Sequence, residues 1–453
     1  MSGLFGALSV SANALQMFDK ALSNVQNNVN NASTPGFAKQ RVTTVALPFA
    51  PNQGLPGGIT TSEIESSRDE YAEQAVRQEQ YKYSGYQETA SDLSRIEGLF
   101  DVSGQSGVPS AMSKLFQAFS AWSVAPSDTL PRQQVIDAAT SLASSFNDVA
   151  SELGSASQSL DQQVHDAVSA INDLSSQIRD INVQTQRNLA TRSDPSLDAR
   201  LHETLASLAQ YTDFTALRQS DGTVTVLMGG QVPLVNGDKQ CALTADSSGA
   251  QTMIRDAQGN DVTAQATTGK LGALMEMRNT TLPSYMSDLN RLAAGLADGI
   301  NATLAAGVDA NGNAGAALFA YNSASDAASS LRVTSITTAE LAAATPDKPG
   351  GNGNALNLTE LANQPELDGL AYTAFYGQLA THVGQALDSA KANQDTHEQL
   401  LLQARSMRDD TSGVSLDEEA AKLLEFQRAY EATAQFINVL NQLTQDVLNI
   451  LPL

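Results

Sequence analysis

The residues able to do chemistry are few and scattered. Asp417, Glu418 and Glu419 form the densest carboxylate group, but general acid–base work needs two such groups facing one reacting atom in a cleft. These three open a helix. Ser415 and Glu418 have the spacing of a capping box, and acids in a first turn complement the helix dipole. Glu425 and Glu431 do not join them on one face. Asp309, Asn311 and Asn313, in DANGNAG, have the one-three-five spacing of a calcium loop. The glycine required at position six is Ala314, however, and the bidentate acid at twelve is Ala320, so the segment reads as an Asn/Gly turn. His165, His202, His382 and His397 lie singly on helical stretches. One cysteine, Cys241, allows neither an intrachain disulfide nor a thiolate zinc site. There is no phosphate-binding glycine loop, dinucleotide fingerprint, nucleophile elbow or HExxH. The expectation is a non-enzyme with no catalytic, cofactor-binding or metal-binding residues.

The strongest signals are structural and sit at the two ends. In the first thirty residues Leu4, Leu8, Leu15, Phe18, Leu22, Val25 and Val29 follow a four–three spacing, with Ser11 in a polar slot. That is a helix with a seam for other helices. Pro35-Gly36 ends it in a tight turn. Only Asp19 and Lys20 are charged before Lys39. A water-facing helix normally carries more charge, so its Asn, Gln and Ser face reads as surface for copies of the same chain. From Ser415 onward Leu416, Leu423, Phe426, Tyr430, Ile437, Leu440, Val447 and Leu451 repeat the pattern, with Thr433 and Thr444 in polar slots. The economical reading is that the terminal helices pair as a coiled coil and with neighbouring subunits. Such a pair, alone in water, is marginal. The segments before Thr34 and after Leu416 are therefore expected to be mobile in the monomer and to order on assembly.

Between the ends the chain of 453 residues changes character twice. KQRVTTVALP and residues 59–64 read as strands around a PNQGLPGG loop. Helices are expected over 69–100 and 108–122. A long one starts near Asp128, with Val135 to Leu160 in one heptad frame, Val164 to Ile181 in a second, and the slip just after Gly154. There the helix either continues with a stutter, as a continuous or gently bent rod, or breaks. Asp194-Pro195 ends it, and Leu197, Leu201, Leu205 and Leu208 mark another helix. At Tyr211 the period falls to two, with Asp221-Gly222 and Gly229-Gly230 at corners. Helix resumes at Leu271, with a kink expected at Pro283. Leu331, Val333 and Ile336 read as one strand, PDKPGGNGNA as a flexible loop, and 365–408 as a helix with Leu379, Val383, Ala386, Ala390, His397, Leu400, Ala404 and Met407 on its seam.

The fold class is thus mainly α with an inserted β-rich domain, in an elongated subunit. The expected division is a terminal helical domain (1–37 and 414–453), a helical rod domain (38–210, 270–307 and 364–413) and a β-rich outer domain (211–269 and 308–363). The net charge of −23 argues against nucleic acid or an anionic membrane surface as partner. No apolar run is long enough for a membrane span, and the N-terminus lacks the features of a cleavable secretory signal.

SGLFGALSVSANALQ…LSNVQNNVNNASTPGFAKQRV resembles the N-terminal signature of the bacterial flagellar axial proteins, an Asn-rich helix running into a Thr-Pro-Gly-aromatic turn. SGVSLDEEAAKLLEFQRAYEATAQFINVLNQL resembles the C-terminal signature of the hook-associated branch of that family. SLDARLHETLASLAQ, TGKLGALMEMRNTTLPSYMSDLNRLAAGLADGINA and GVDANGNAG are similar to the same branch. The resemblance implies a structural protein in a ring-like layer of copies between hook and filament. Its partners would be itself, the hook protein, hook-associated protein 3 and a cytoplasmic export chaperone. It would leave the cell by the flagellar type III apparatus. Many members carry a further domain after the DANGNAG region, and here only the stretch from Gly315 to Pro365 is available. Other readings share part of the pattern: a hook or distal-rod protein, a secreted helical adhesin, or a cell-wall hydrolase carried on a flagellum, which would need a compact acid/base pair.

Overall fold

The computed structural model describes residues 2–50, 55–101, 105–187 and 194–450. In chain order, α1 (Ser2–Asn30) leads through the Pro35-Gly36 turn to β1 (Gln40–Ala50) and β2 (Leu55–Ser66), an antiparallel pair with one irregularity between Val42 and Thr44. Four helices follow: α2 (Glu70–Glu97), α3 (Gly107–Val124), α4 (Thr129–Arg187) and α5 (Pro195–Leu208). Next, β3 (Phe214–Arg218), β4 (Val224–Met228), β5 (Val232–Asn236) and β6 (Lys239–Gln240) make one antiparallel sheet in sequence order, and β7 (Thr244–Asp246) pairs with β8 (Met253–Arg255). α6 (Gly269–Glu276) passes through a π-helical turn, Met277–Thr281, into α7 (Leu282–Ala306). β9 (Phe319–Ala320), α8 (Ala327–Ser330) and β10 (Arg332–Val333) form a short return. α9 (Gly353–Glu360), α10 (Tyr372–Ser412) and α11 (Leu416–Ile450) complete the chain.

The chain folds into two compact units. One comprises Met1–Tyr81, Ile171–Ala242 and His397–Leu453; the other comprises Lys82–Ala170 and Leu243–Thr396. In the second unit α4 runs unbroken through the frame slip. Val135, Leu142, Phe146 and Leu153 are buried before it, and Leu160, Val164 and Ala167 after it. A side chain at Gly154 would meet open space, so the slip only changes which face of one helix is covered. The irregular return is tied down by asparagine amides, each of which can donate and accept. Asn301 accepts from the backbone N–H of Leu318 and Phe319 and donates to Phe319 O. Asn290 bonds Ser325 O and Ala328 N, and Asn147 bonds Ala328 O and Leu331 O. Asp309 accepts from the backbone N–H of Asn311 and Asn313, both at 2.8 Å, which makes DANGNAG the expected Asn/Gly turn.

Several expectations need correction. At Pro283, where a kink is expected, the helix runs on from α6 to α7, and the π turn Met277–Thr281 directly before the proline accommodates its missing N–H. Of the PNQGLPGG loop, residues 51–54 lie outside the described residues and 55–58 already belong to β2. β10 holds only Arg332 and Val333, not the span to Ile336. Residues 353–360 are helical in α9, where Asn352 donates to Ser123 O. α10 starts at Tyr372 and buries Leu387 and Leu401 together with the expected Leu379, Val383, Ala390 and Ala404, leaving Leu400 and Met407 exposed. Leu451 lies outside the described residues.

Asp92, in the second unit, is 3% exposed, and its Oδ2 has no hydrogen-bond partner. Burial, then the charge of Glu88, pushes its pKa up to about 6 against the opposing pull of Arg95. The folded protein therefore holds this proton more tightly than the unfolded chain. Its contribution is intact below the unfolded pKa and is lost as pH rises through 6. Asp92→Asn is expected to stabilise the protein by about 1–3 kcal/mol at pH 7.5 and by nothing at pH 4, measured by urea unfolding. An unchanged midpoint at pH 7.5 would refute the assignment.

Candidate assembly site: the paired terminal helices

α1 has two neighbours within its own unit. On one face Val10 lies against β2, close enough that a Cβ on Gly58 would stand 3.0 Å from a Val10 methyl carbon. On another face it runs along α11, where the rings of Phe18 and Phe426 are 6.4 Å apart. The residues fully buried in α1 are Ser11, Met17, Ala21, Asn24, Val25 and Asn28. Ser11 and Val25 stand on the seven-residue ruler, whereas Met17, Ala21, Asn24 and Asn28 form a line turned from it, because the strand pair takes part of the helix surface.

The asparagines in that line carry the structure. Asn28 Oδ1 accepts from Gln40 N at 2.9 Å, and its Nδ2 donates to Gln40 O and to Glu419 Oε2, each at 2.9 Å. Asn24 Nδ2 donates to Gln40 O at 2.8 Å. One buried node thus joins α1, the start of β1 and the start of α11. The Glu419 side chain is 1% exposed, and Lys422 Nζ at 3.1 Å and Lys39 Nζ at 3.7 Å offset its charge. A buried carboxylate needs this many partners, since an unpaired one costs several kcal/mol. Lys39 also meets Glu418 at 2.5 Å. Burial opposes the Lys39 charge, but the bond to Glu418 prevails and raises its pKa, while the same bond lowers that of Glu418.

The turn beneath the helices is equally fixed. Gly36 has φ +71°, and a Cβ there would lie 2.3 Å from Ala199 O on α5, so the Thr-Pro-Gly-Phe corner needs glycine for both reasons. Arg68 clamps it by donating to Gly36 O at 2.6 Å, Asp198 at 2.9 Å and Glu73 at 2.5 Å. Lys39 N donates to Ser412 O at 2.9 Å, and the Ser412 hydroxyl accepts from Asp69 N.

The structure brings Phe18 and Phe426 together, and it buries Val25 and Leu440. Leu4, Leu8, Leu15, Leu22, Leu423, Ile437 and Val447 are half-buried. Val29 and Tyr430 are exposed, at 40% and 38%, because within one chain two helices cover only the inner half of each seam. The Asn/Gln/Ser face is not uniformly outward, since Asn24 and Asn28 are internal. A second stripe on α11, Leu424, Phe436, Val439 and Leu443, is about half exposed. The polar slots bond to their own helix: Ser11 to Ala7 O, Thr433 to Ala429 O and Thr444 to Leu440 O. Sequence reasoning passed over Asn28, Gln40, Arg68 and Glu419. The available signal was asparagine at i and i+4 on a helix with few charges, directly before a strand.

Residues 93–319 match the family described as the flagellar hook-associated protein FlgK helical domain, which is half the chain. The chain belongs to this family. Residues 409–450 also match the flagellar basal body rod FlgEFG protein C-terminal region, which places α11 among axial-protein termini. The chain is 24% identical to flagellar hook-associated protein 1 of Bacillus subtilis, over 99% of both chains. It is 23% identical to the protein of that name from Salmonella typhimurium, over 99% of this chain and 100% of the relative. In three dimensions it is similar to the flagellar hook junction protein FlgK from Burkholderia pseudomallei, with TM-score 0.67 and 17% identity over 76% of this chain and all of that one. This FlgK-family chain is a structural protein of the bacterial flagellum and not an enzyme. Among the described residues no helix is long and apolar enough to cross a membrane.

The node makes a direct prediction. Asn28→Ala strands the backbone of Gln40 and removes one partner from buried Glu419. A loss of about 2–3 kcal/mol is expected in denaturant unfolding. Accelerated amide exchange should be confined to α1, β1 and the start of α11. A loss below about 0.5 kcal/mol would show the node to be dispensable.

Proposed function

We propose that this hook–filament junction protein polymerises through its terminal helices, with copies meeting along the outer halves of Leu4, Leu8, Leu15, Phe18, Leu22 and Val29 on α1 and Leu423, Phe426, Tyr430, Ile437 and Val447 on α11, over a seam whose inner members Val25 and Leu440 are buried within the chain. The observation that carries the reading is the combination of a fixed base with an incompletely covered seam. The helix pair is anchored at Asn28–Glu419, yet its seams and the Phe436–Val439–Leu443 stripe keep apolar surface for further helices. Exposed apolar stripes of this kind mark protein contacts.

The same reading extends to the partners. The copies form a ring-like layer that meets the hook protein on one side and hook-associated protein 3 on the other. A cytoplasmic chaperone covers the C-terminal helix before export by the flagellar type III apparatus. The terminal helices (1–37 and 414–453) are the assembly layer, 38–210 with 270–307 and 364–413 the helical layer, and 211–269 with 308–363 the outer part. Membership of the hook-associated family and the match of residues 409–450 to axial-protein C-termini support this arrangement.

Antibody labelling of flagella by electron microscopy tests the location: a single band at the hook–filament boundary is expected, and labelling along the whole hook would overturn it. Leu22→Asp and Ile437→Asp should block incorporation while the second unit keeps its unfolding transition. Phe436→Asp should block it with the α1–α11 pair still protected from amide exchange. Normal filaments from all three variants would remove the helices from the assembly interface.

A further inference from the structure

β3 is an edge strand of its four-stranded sheet. In its ladder with β4, Gly229 N donates to Asp213 O and Gln219 N donates to Thr223 O. With the register Phe214↔Met228 to Arg218↔Val224, the alternation of antiparallel pairs turns the backbone groups of Asp213, Thr215, Leu217 and Gln219 toward β4. Those of Phe214, Ala216 and Arg218 therefore point away from the sheet. An edge with such a row is a template for another strand.

This edge borders a groove of about 390 Å³ within the same unit. Gln74, Arg77 and Gln78 of α2 form the opposite wall, and Leu201 and Leu205 of α5 supply an apolar floor. His202 lines it, 4% exposed, with neither ring nitrogen hydrogen-bonded; Glu70 Oε1 and Asp198 Oδ1 each stand 3.7 Å from Nε2. Burial, then Arg68, holds the imidazole neutral with a pKa of about 3, so it offers one donor and one acceptor. Arg77 has no carboxylate within hydrogen-bond distance: Glu73 and Glu70 act on it through their charges, Glu70 Oε2 at 3.9 Å, whereas Arg68 has three partners within 2.9 Å.

We propose that this groove binds an extended peptide carrying an acidic side chain, which adds to β3 as a fifth strand, sets its carboxylate on Arg77 and gives a hydroxyl to His202. Backbone bonds to Phe214, Ala216 and Arg218 provide affinity that is independent of sequence, and the guanidinium and imidazole provide selection. Charge points to the occupant. Arg68 and Arg218 are already paired with Asp198, which leaves Arg77, held by Glu73 and by the exposed Glu70 without a hydrogen bond, as the cation that an incoming carboxylate can claim.

The test uses the full-length monomer and two blocked synthetic hexapeptides of alternating Thr and Val, one with a central Asp and one with Lys in its place. With the Asp peptide, amide exchange over residues 214–218 is expected to slow at least tenfold, and its affinity should exceed that of the Lys peptide at least fivefold. Arg77→Gln should erase the difference between the peptides. Ala216→Pro, which deletes an outward N–H and spares the ladder to β4, should abolish the protection; if that variant unfolds, the Arg77→Gln result decides. Unslowed exchange, or equal affinity for the two peptides, overturns the proposal. So does protection that grows with protein concentration without peptide, since that outcome assigns the edge to a second copy of the chain.

Discussion

The first unit depends on a single amide. Asn28 presents to Gln40 the same donor and acceptor that a neighbouring strand would present, and so pairs with the first residue of β1 where the ladder has no further strand. The spare hydrogen of that amide reaches Glu419, nearly four hundred residues away in sequence. The helices at the two ends of the chain thus meet at a point that is polar, buried and hydrogen-bonded throughout. Buried polar groups in this condition are stringent, because removing any member leaves the others unpaired in a low dielectric. That stringency sets the depth and rotation at which α11 meets α1, while the apolar contacts above it, such as Phe18 against Phe426, tolerate repacking.

Hydrophobic period made much of the fold legible. The helices α1 and α11, the α5 leucines and the hairpins at Asp221-Gly222 and Gly229-Gly230 stand where the spacing places them, and α4 takes the continuous one of the two courses that the slip at Gly154 allows. The ruler reports that a face will be covered, but it does not say by what. In α1 a strand pair takes one side, so the buried line rotates to Met17, Ala21, Asn24 and Asn28, and Val29 is left outside. In α10 the same limit exchanged Leu400 and Met407 for Leu387 and Leu401. α9 escaped because its eight residues follow a Gly/Asn-rich turn and make little more than two helical turns, too few for a period to show.

The candidate site was legible in its apolar part and hidden in its polar part. Low charge on α1 marks an unusual surface, and sequence alone does not separate the internal bonding by Asn24 and Asn28 from the proposed contact with other subunits. Arg68 and Glu419 looked like ordinary charged residues near helix starts. Their importance comes from long-range partners, Gly36 O and Asp198 for one and Asn28 for the other, and no local spacing encodes those. Family membership fills a different gap. It supplies the flagellar context, which no arrangement of residues in one chain displays.

Ser11, Thr433 and Thr444 interrupt otherwise apolar seams, and each hydroxyl hydrogen goes to a carbonyl one turn back in its own helix. These groups make no demand on the helix opposite. A seam built this way can lose its water without stranding a donor, and it carries no direction-specific bond that a small axial shift would break. Packing along it is therefore graded and not latched. Along it α1 and α11 can shift by fractions of a turn at low cost, and their register is locked at the Asn28–Glu419 end. The helix pair thus combines a pinned base with a compliant shaft.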